Sequence, residues 1–318
     1  MTIITTKTKP IPRIEGEIIR RSPSLRTARK IRGFDSLVEN NMVGEFLKNS
    51  GQFVILPKGA RLMKAICTLL DRCIRKPLGF EEVFLPKIAP VDSFRKAGIL
   101  GKWDGYLIAA IPFSDTHGVT EEYLLDPLQC TTFYQFHENK VIDTSMGPVK
   151  WFDSSGPTYR NEDSDRIVPL VKQREFHRAE FVYMGTRAHV IQIREECLAR
   201  LERMCRDLGL GYRIVVGSGC YQLESGKSEM PQTVEEIPIK DLEIHCPGYE
   251  NGGSFLEVAG SAVLGTIITS RFKIRDQNGN ELWSGCTGIG LERLMFAVLT
   301  NYGVDFDNLP VTVQEAMA

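Results

Sequence analysis

From Leu282 to Leu299 the chain reads LWSGCTGIGLERLMFAVL. Glycines recur at Gly285, Gly288 and Gly290, and Glu292-Arg293 then opens an apolar run that predicts a buried helix. A dinucleotide fingerprint needs G-x-G-x-x-G within a parallel βαβ unit, but the strands upstream read as antiparallel. A Walker A loop fails because no G-K-[ST] follows. The stretch therefore predicts a strand-to-helix turn of glycines that delivers Arg293 from the first turn of a helix. An arginine so placed can reach a phosphate, or it can pair with Glu292 or another nearby carboxylate. Spacing alone makes Cys286 a core cysteine.

Upstream, the elements alternate in type. Residues 60–75 carry Leu62, Ile66, Leu69, Leu70 and Cys73 at helical spacing. FEEVFLP (80–86) predicts a strand that ends at Pro86, since proline is tolerated at a strand end. Residues 122–136 predict a strand, a turn and a helix. Residues 187–208 predict an amphipathic helix lined by Val190, Ile193, Cys197, Leu201, Met204 and Leu208 and stopped by Gly209. YRIVVG, IKDLEIHCP, SFLEVAGSAV and SRFKIRD predict strands, Asn278-Gly279 a hairpin turn, and GLERLMFAVL a final buried helix. This order predicts an α+β fold, an antiparallel β-sheet flanked by helices.

A second charged island lies in YRNEDSD and VKQREFHRAE, which predict an antiparallel hairpin with a charged loop. Arg160 and Glu162 fall two apart, so a strand would point both to one face. Lys172, Arg174, Phe176, Arg178 and Glu180 share parity on the returning strand, and His177 alternates to the other side. A solvated hairpin explains charges. It explains less well an arginine, a glutamate and an aromatic ring aligned on one face. That set suits a nucleotide: arginine for phosphate, glutamate for the adenine amino group, phenylalanine for stacking.

The 318 residues suffice for a sizeable core; 42% are hydrophobic and 25% charged, as in ordinary globular proteins. A net charge of −1 provides no global field toward nucleic acid or membrane. No stretch approaches ~18 uninterrupted apolar residues, and the N-terminus lacks an apolar signal core. Eight cysteines without scaffold spacing suggest reduced thiols in a cytoplasm, and Cys67, Cys73, Cys197 and Cys205 fall on apolar helix faces. Residues 1–49 read as a basic N-terminal arm or extension, with Arg20, Arg21, Arg26, Arg29, Lys30 and Arg32 close together. Residues 50–318 read as the catalytic domain.

Three motifs in order give the chain its resemblance. FEEVFLP, YRNE with REFHRAE, and GIGLER resemble the three motifs of class II aminoacyl-tRNA synthetases over about residues 50–305. More closely, LLDPLQC, FHRAE, SFLEVAGSAVLG and WSGCTGIGLER resemble the zinc-dependent seryl-tRNA synthetases of methanogens. They are equally similar to that enzyme's truncated relatives, the amino acid:[carrier protein] ligases. The resemblance implies a class II catalytic domain, a homodimer joined through the first motif, and Zn2+ held by Cys130, Glu180 and Cys286. Glu175 competes with Glu180, which is preferred for its parity with Phe176 and Arg178. It further implies that ATP meets Arg160 at its α-phosphate, Glu162 at the adenine amino group, Phe176 at the ring and Arg293 at the γ-phosphate. Lys172 or Arg166 assists, Glu257 is the Mg2+ carboxylate, and Tyr221 and Glu224 wall the amino-acid pocket. His177 is structural.

The implied reaction is adenylation of a small amino acid, glycine or alanine with serine possible, and transfer to the phosphopantetheine thiol of a carrier protein. The near-neutral charge weighs against tRNA as the partner, because tRNA binding needs a basic footprint. The basic cluster at 20–32 offers a dock for an acidic carrier protein. Charging of tRNA is the alternative reading, and a non-catalytic amino-acid-binding paralogue is a further one. The presence of Arg160, Glu162 and Arg293 argues against the paralogue.

Overall fold

A computed structural model describes residues 11–23, 31, 34–48, 50–111, 122–219, 231–247, 249 and 254–318. Its main sheet has nine strands. These are β1 (Ile18–Arg21), β2 (Glu81–Glu82), β3 (Val149–Asp153), β4 (Pro157–Tyr159), β5 (Glu175–Gly185), β6 (Tyr212–Val216), β7 (Ile239–His245), β8 (Phe255–Gly265) and β9 (Trp283–Gly290). Their order across the sheet is β1-β6-β7-β8-β9-β5-β3-β2, with β4 paired to β5. The central pairings are antiparallel, and only β2 runs parallel to its partner β3. The α+β fold with its antiparallel sheet is the one expected.

Period-two alternation gives the sheet two unlike faces. On β5, Ala179, Phe181 and Tyr183 enter the larger apolar core, while Phe176, Arg178 and Glu180 line a cavity on the other face. The core side is covered by helices α1 (Pro57–Leu70), α3 (Arg187–Asp207) and α4 (Leu291–Tyr302), whose buried residues share that core. Thr186 caps α3 by accepting the His189 amide, and Gly209 in the left-handed region (φ +62°) ends it. Its Val190, Ile193, Cys197, Leu201 and Met204 are buried on the predicted face. Each fully buried leucine or isoleucine there contributes ~1.5–3 kcal/mol. A second apolar cluster lies on the cavity side and includes α2 (Thr131–Phe136).

Several expectations change. FEEVFLP forms only the two-residue β2, and Phe84 stays 80% exposed. SRFKIRD is not a strand: Ile267–Arg271 is helical, because Ile268 and Phe272, four apart, are both fully buried. Only Arg275–Asp276 is extended, ahead of the predicted turn at Gly279 (φ +80°). GLERLMFAVL is not the last helix, since α5 (Val311–Met317) follows and packs on α1. Within the N-terminal segment, β1 forms an edge of the sheet and Arg20 bonds Glu202 of α3 at 2.5 Å. Arg26, Arg29, Lys30 and Arg32 lie outside the described residues.

Candidate active site

The cavity, about 540 Å³, opens over the middle of the sheet. Its geometry begins with the register of β5 and β9. Glu180 faces Gly288 and Val182 faces Cys286 across that pair, so the glutamate and the cysteine come to one end of the cavity floor. Cys130 arrives from elsewhere. Asp126 accepts the amides of Leu128 and Gln129 at 2.8 and 2.9 Å and so shapes the turn that places Cys130 at the N-cap of α2. One ligand atom each from Cys130, Glu180 and Cys286 lies within 4.8 Å of the others, and all three residues are buried. Glu175 is not among them; it accepts from Gln52 Nε2 at 3.1 Å.

This donor set fits a metal ion. Both Glu180 carboxylate oxygens are buried without a hydrogen-bond partner among the described residues, although Arg178 Nη2 stands 2.9 Å from one of them. Burial pushes the Glu180 carboxyl up to about 7 against the pull of Arg178. The adjacent Cys130 thiol, and burial after it, push the Cys286 thiol upward. A buried carboxyl and two buried sulfurs brought this close offer three donor atoms to one cation. Two thiolates and a carboxylate are a donor set that would suit Zn2+.

The other expected residues gather in the same cavity. Arg160, Glu162, Lys172, Phe176, Glu257 and Arg293 all line it. Arg160 and Glu162 do not share a strand, because β4 ends at Tyr159, but the loop beyond still turns both inward. The Arg160 guanidinium lies over Trp103 and Phe176, 4.7 and 5.1 Å from the ring centroids. Lys172 Nζ stands 3.1 Å from Glu162. Arg293 does emerge from the first turn of a helix, its Nε donating to the Val171 carbonyl at 2.8 Å and its Nη1 to the Glu257 carbonyl at 3.0 Å. The same Nη1 is 3.4 Å from the Glu257 carboxylate, so Arg293 pairs with Glu257 and not with Glu292. Glu292 instead receives the His177 amide and contacts His177 Nδ1 at 2.8 Å, which raises the imidazole pKa. His177 is thus tied to Glu292, away from the Phe176, Arg178 and Glu180 side of β5. Arg166 pairs with Asp163 at 3.6 Å. Arg174 leaves the set and bonds the Glu162 and Ser50 carbonyls, each at 3.0 Å. Tyr221 and Glu224 lie outside the described residues.

The expected glycine turn is not one. Gly285, Gly288 and Gly290 all belong to β9, and α4 follows without a loop. Gly288 leaves room for the Arg178–Glu180 pair to lie across it.

Asp241 of β7 escaped the sequence reading. It lines the cavity near Glu257, and burial first, then Glu257, push its carboxyl from 3.8 up to about 8. The folded chain thus holds this proton to a higher pH than the unfolded chain does. The stabilisation is fully present below pH 3.8 and is lost as pH rises through 8. Asp241→Asn is therefore expected to melt above the wild type at pH 9, by ~2 °C or more, and level with it at low pH. Equal melting temperatures at pH 9 would reject this placement of the charge.

An antiparallel sheet, a charged hairpin and a helix-borne arginine over one face define the catalytic domain of a class II aminoacyl-tRNA synthetase. The chain belongs to the tRNA synthetase class II core domain (G, H, P, S and T) family, which it matches over residues 113–302. It is 30% identical to the type-2 serine–tRNA ligase of Methanococcus aeolicus over 292 residues, 83% of this chain and 55% of that one. It is 29% identical to the type-2 serine–tRNA ligase of Methanothermobacter thermautotrophicus, covering 99% of this chain and 64% of that one. The chain thus spans between about half and two thirds of these relatives' length. Its fold is similar to that of M. kandleri seryl-tRNA synthetase, solved with A. aeolicus tRNASec, at a TM-score of 0.84 and 23% identity over 98% of this chain and 65% of that one. Among the described residues no helix is long and apolar enough to cross a membrane.

Proposed function

We propose that the chain activates a small amino acid with ATP, forming an aminoacyl adenylate that is then passed to an acceptor. One observation carries this reading: a buried Cys-Glu-Cys cluster and a set of nucleotide-type residues share one cavity. A Zn2+ held by Cys130, Glu180 and Cys286 would offer its fourth position to the substrate's α-amino group, as a template and not as a source of hydroxide. Arg160 would meet the α-phosphate. There a substrate carboxylate oxygen bonds to phosphorus in line, and the bond to the bridging oxygen breaks as pyrophosphate leaves. The attacking carboxylate is already ionised, so no general base is required. Arg293 would hold the γ-phosphate and Glu162 the adenine amino group, with Lys172 beside it. Phe176 would stack on the ring, Glu257 would bind the Mg2+ of the nucleotide, and Tyr221 and Glu224 would wall the amino-acid pocket.

The similarity to type-2 serine–tRNA ligases supports serine as substrate and the 3′ end of tRNA as acceptor. The second reading is transfer of glycine or alanine to the phosphopantetheine thiol of a carrier protein. The net charge of −1 favours it, since tRNA binding draws on a basic footprint. We place the catalytic domain at 50–318 and the basic segment at 1–49 as an extension whose β1 adds an edge strand to the same sheet. Exposed Phe84 and Ile88, in and just beyond the first motif, support a homodimer joined there.

The reading is tested by ATP–pyrophosphate exchange across the twenty amino acids, then by incubating the preferred one with tRNA or with holo-carrier protein. Exchange that depends on one or a few small amino acids is expected. Neighbouring small substrates should leak through, because one methylene is worth only ~1–3 kcal/mol in a pocket. No exchange with any amino acid would overturn the proposal, and label on tRNA alone would remove the carrier reading.

A further inference from the structure

A tight loop outside the three motifs, residues 99–107, reaches into the cavity wall. The Trp103 amide donates to the Ile99 carbonyl at 3.1 Å, the Gly101 amide to Asp104 Oδ1 at 2.6 Å and the Tyr106 amide to the Trp103 carbonyl at 2.7 Å. Ile99 is fully buried in the cavity-side apolar cluster and Trp103 packs against that cluster, so the loop has a firm base. The loop is also joined to the one that carries Arg160. The Asn161 amide donates to the Tyr106 carbonyl at 2.9 Å, and Asn161 Nδ2 donates to the Gly105 carbonyl at 3.3 Å. Trp103 and Tyr106, their rings 5.8 Å apart, both line the cavity.

Arg160 Nε donates to the Pro127 carbonyl at 3.3 Å, a long bond about which the guanidinium can turn. Its place over the cavity is set further by two rings, with Trp103 at 4.7 Å and Phe176 at 5.1 Å. A cation over an aromatic face is attracted by the ring quadrupole, most strongly by that of indole. The two rings are not equivalent. Phe176 is the ring assigned above to the adenine, so an incoming nucleotide competes with Arg160 for it. Trp103 stands outside that competition and can hold the guanidinium while the nucleotide is bound.

We propose that Trp103 is a positioning residue for adenylation, its indole face holding the Arg160 guanidinium where the α-phosphate reacts. This rests on the reading of Arg160 as the α-phosphate contact. That contact matters most in the transition state, as bonding at phosphorus changes. Loss of the indole face therefore slows turnover more than it weakens nucleotide binding.

The test measures ATP–pyrophosphate exchange by the full chain with glycine, alanine and serine, in wild type, Trp103→Phe and Trp103→Leu. Leucine keeps apolar bulk against the cluster but removes the π face, which separates packing from the cation–π contact. With the most active amino acid, Trp103→Leu should lower kcat about 10-fold and leave KM for ATP within about 2-fold. Trp103→Phe should recover all but about 3-fold of the rate. A second measurement needs no turnover. Removing the cation by Arg160→Gln should shift the tryptophan emission of the wild type and leave that of Trp103→Phe unmoved, although Trp151 and Trp283 remain in both. That comparison decides the matter if Trp103→Leu does not fold. Wild-type kcat in Trp103→Leu, equal losses in the two variants, or an emission shift that is absent or persists in Trp103→Phe would overturn the inference and leave adenylation standing. Exchange with no amino acid would overturn both.

Discussion

Cys286→Ala is expected to lower amino-acid-dependent ATP–pyrophosphate exchange by roughly 10²–10³-fold while leaving the chain folded. Two ligands, Cys130 and Glu180, then remain where three converge. Zinc measured in the purified protein should fall from near one per chain to near zero. The substrate's amino group loses its anchor, so the carboxylate no longer meets the α-phosphate in line, and small misplacements of reacting atoms are costly. Stability should change little, because losing one buried sulfur costs on the order of 1 kcal/mol. The control is Cys197→Ala. Cys197 is also buried but sits in the core under the sheet, with its thiol pushed up to about 12 by burial. That variant should lose a similar ~1 kcal/mol of stability and keep both zinc and exchange. Full zinc and full exchange in Cys286→Ala would return Cys286 to the role of a core cysteine.

The sheet was legible because its strands alternate apolar and polar residues and its long helices carry apolar stripes. Parity also separated Phe176, Arg178 and Glu180 from His177, since β5 is regular through that stretch. Parity misled where the chain was not a strand: Arg160 and Glu162 reach the cavity from a loop, and Arg174 precedes β5. The metal cluster has no local spacing. Its members meet only through the β5–β9 register and the turn fixed by Asp126, so resemblance and not pattern pointed to them. Asp241 was hidden by its neighbours. In IKDLEIH the buried face is Lys240, Leu242 and Ile244, and a lysine on that face disguises the alternation. Lys240 is tolerated there because its Nζ stands 2.5 Å from Glu195 of α3. The glycines of β9 read as a turn because glycine usually marks one; here they make room inside a strand.

Gly288→Ala is expected to abolish zinc binding and reduce exchange about 10²-fold with the fold intact, whereas Gly285→Ala, three residues earlier, is expected to destabilise the whole domain. The difference lies in what an added methyl group meets. At Gly285 it meets the Ala262 carbonyl of β8 at 2.5 Å and the Tyr183 ring at 2.6 Å. One is backbone in a paired strand and the other is a fully buried side chain, so neither can yield cheaply. Overpacking of that kind costs ~1–3 kcal/mol or more, which lowers the melting temperature by several degrees. At Gly288 the methyl collides with the tips of Arg178 and Glu180. Those tips can swing aside, so the strand survives. Glu180, however, no longer reaches Cys130 and Cys286, and Arg178 no longer neutralises the ligand set. Thermal melting, zinc content and exchange on the two variants separate the cases. A Gly288→Ala protein with full zinc would show that the Arg178–Glu180 arrangement is not needed to hold the metal. A Gly288→Ala protein that unfolds as readily as Gly285→Ala would show that the two glycines serve packing alone.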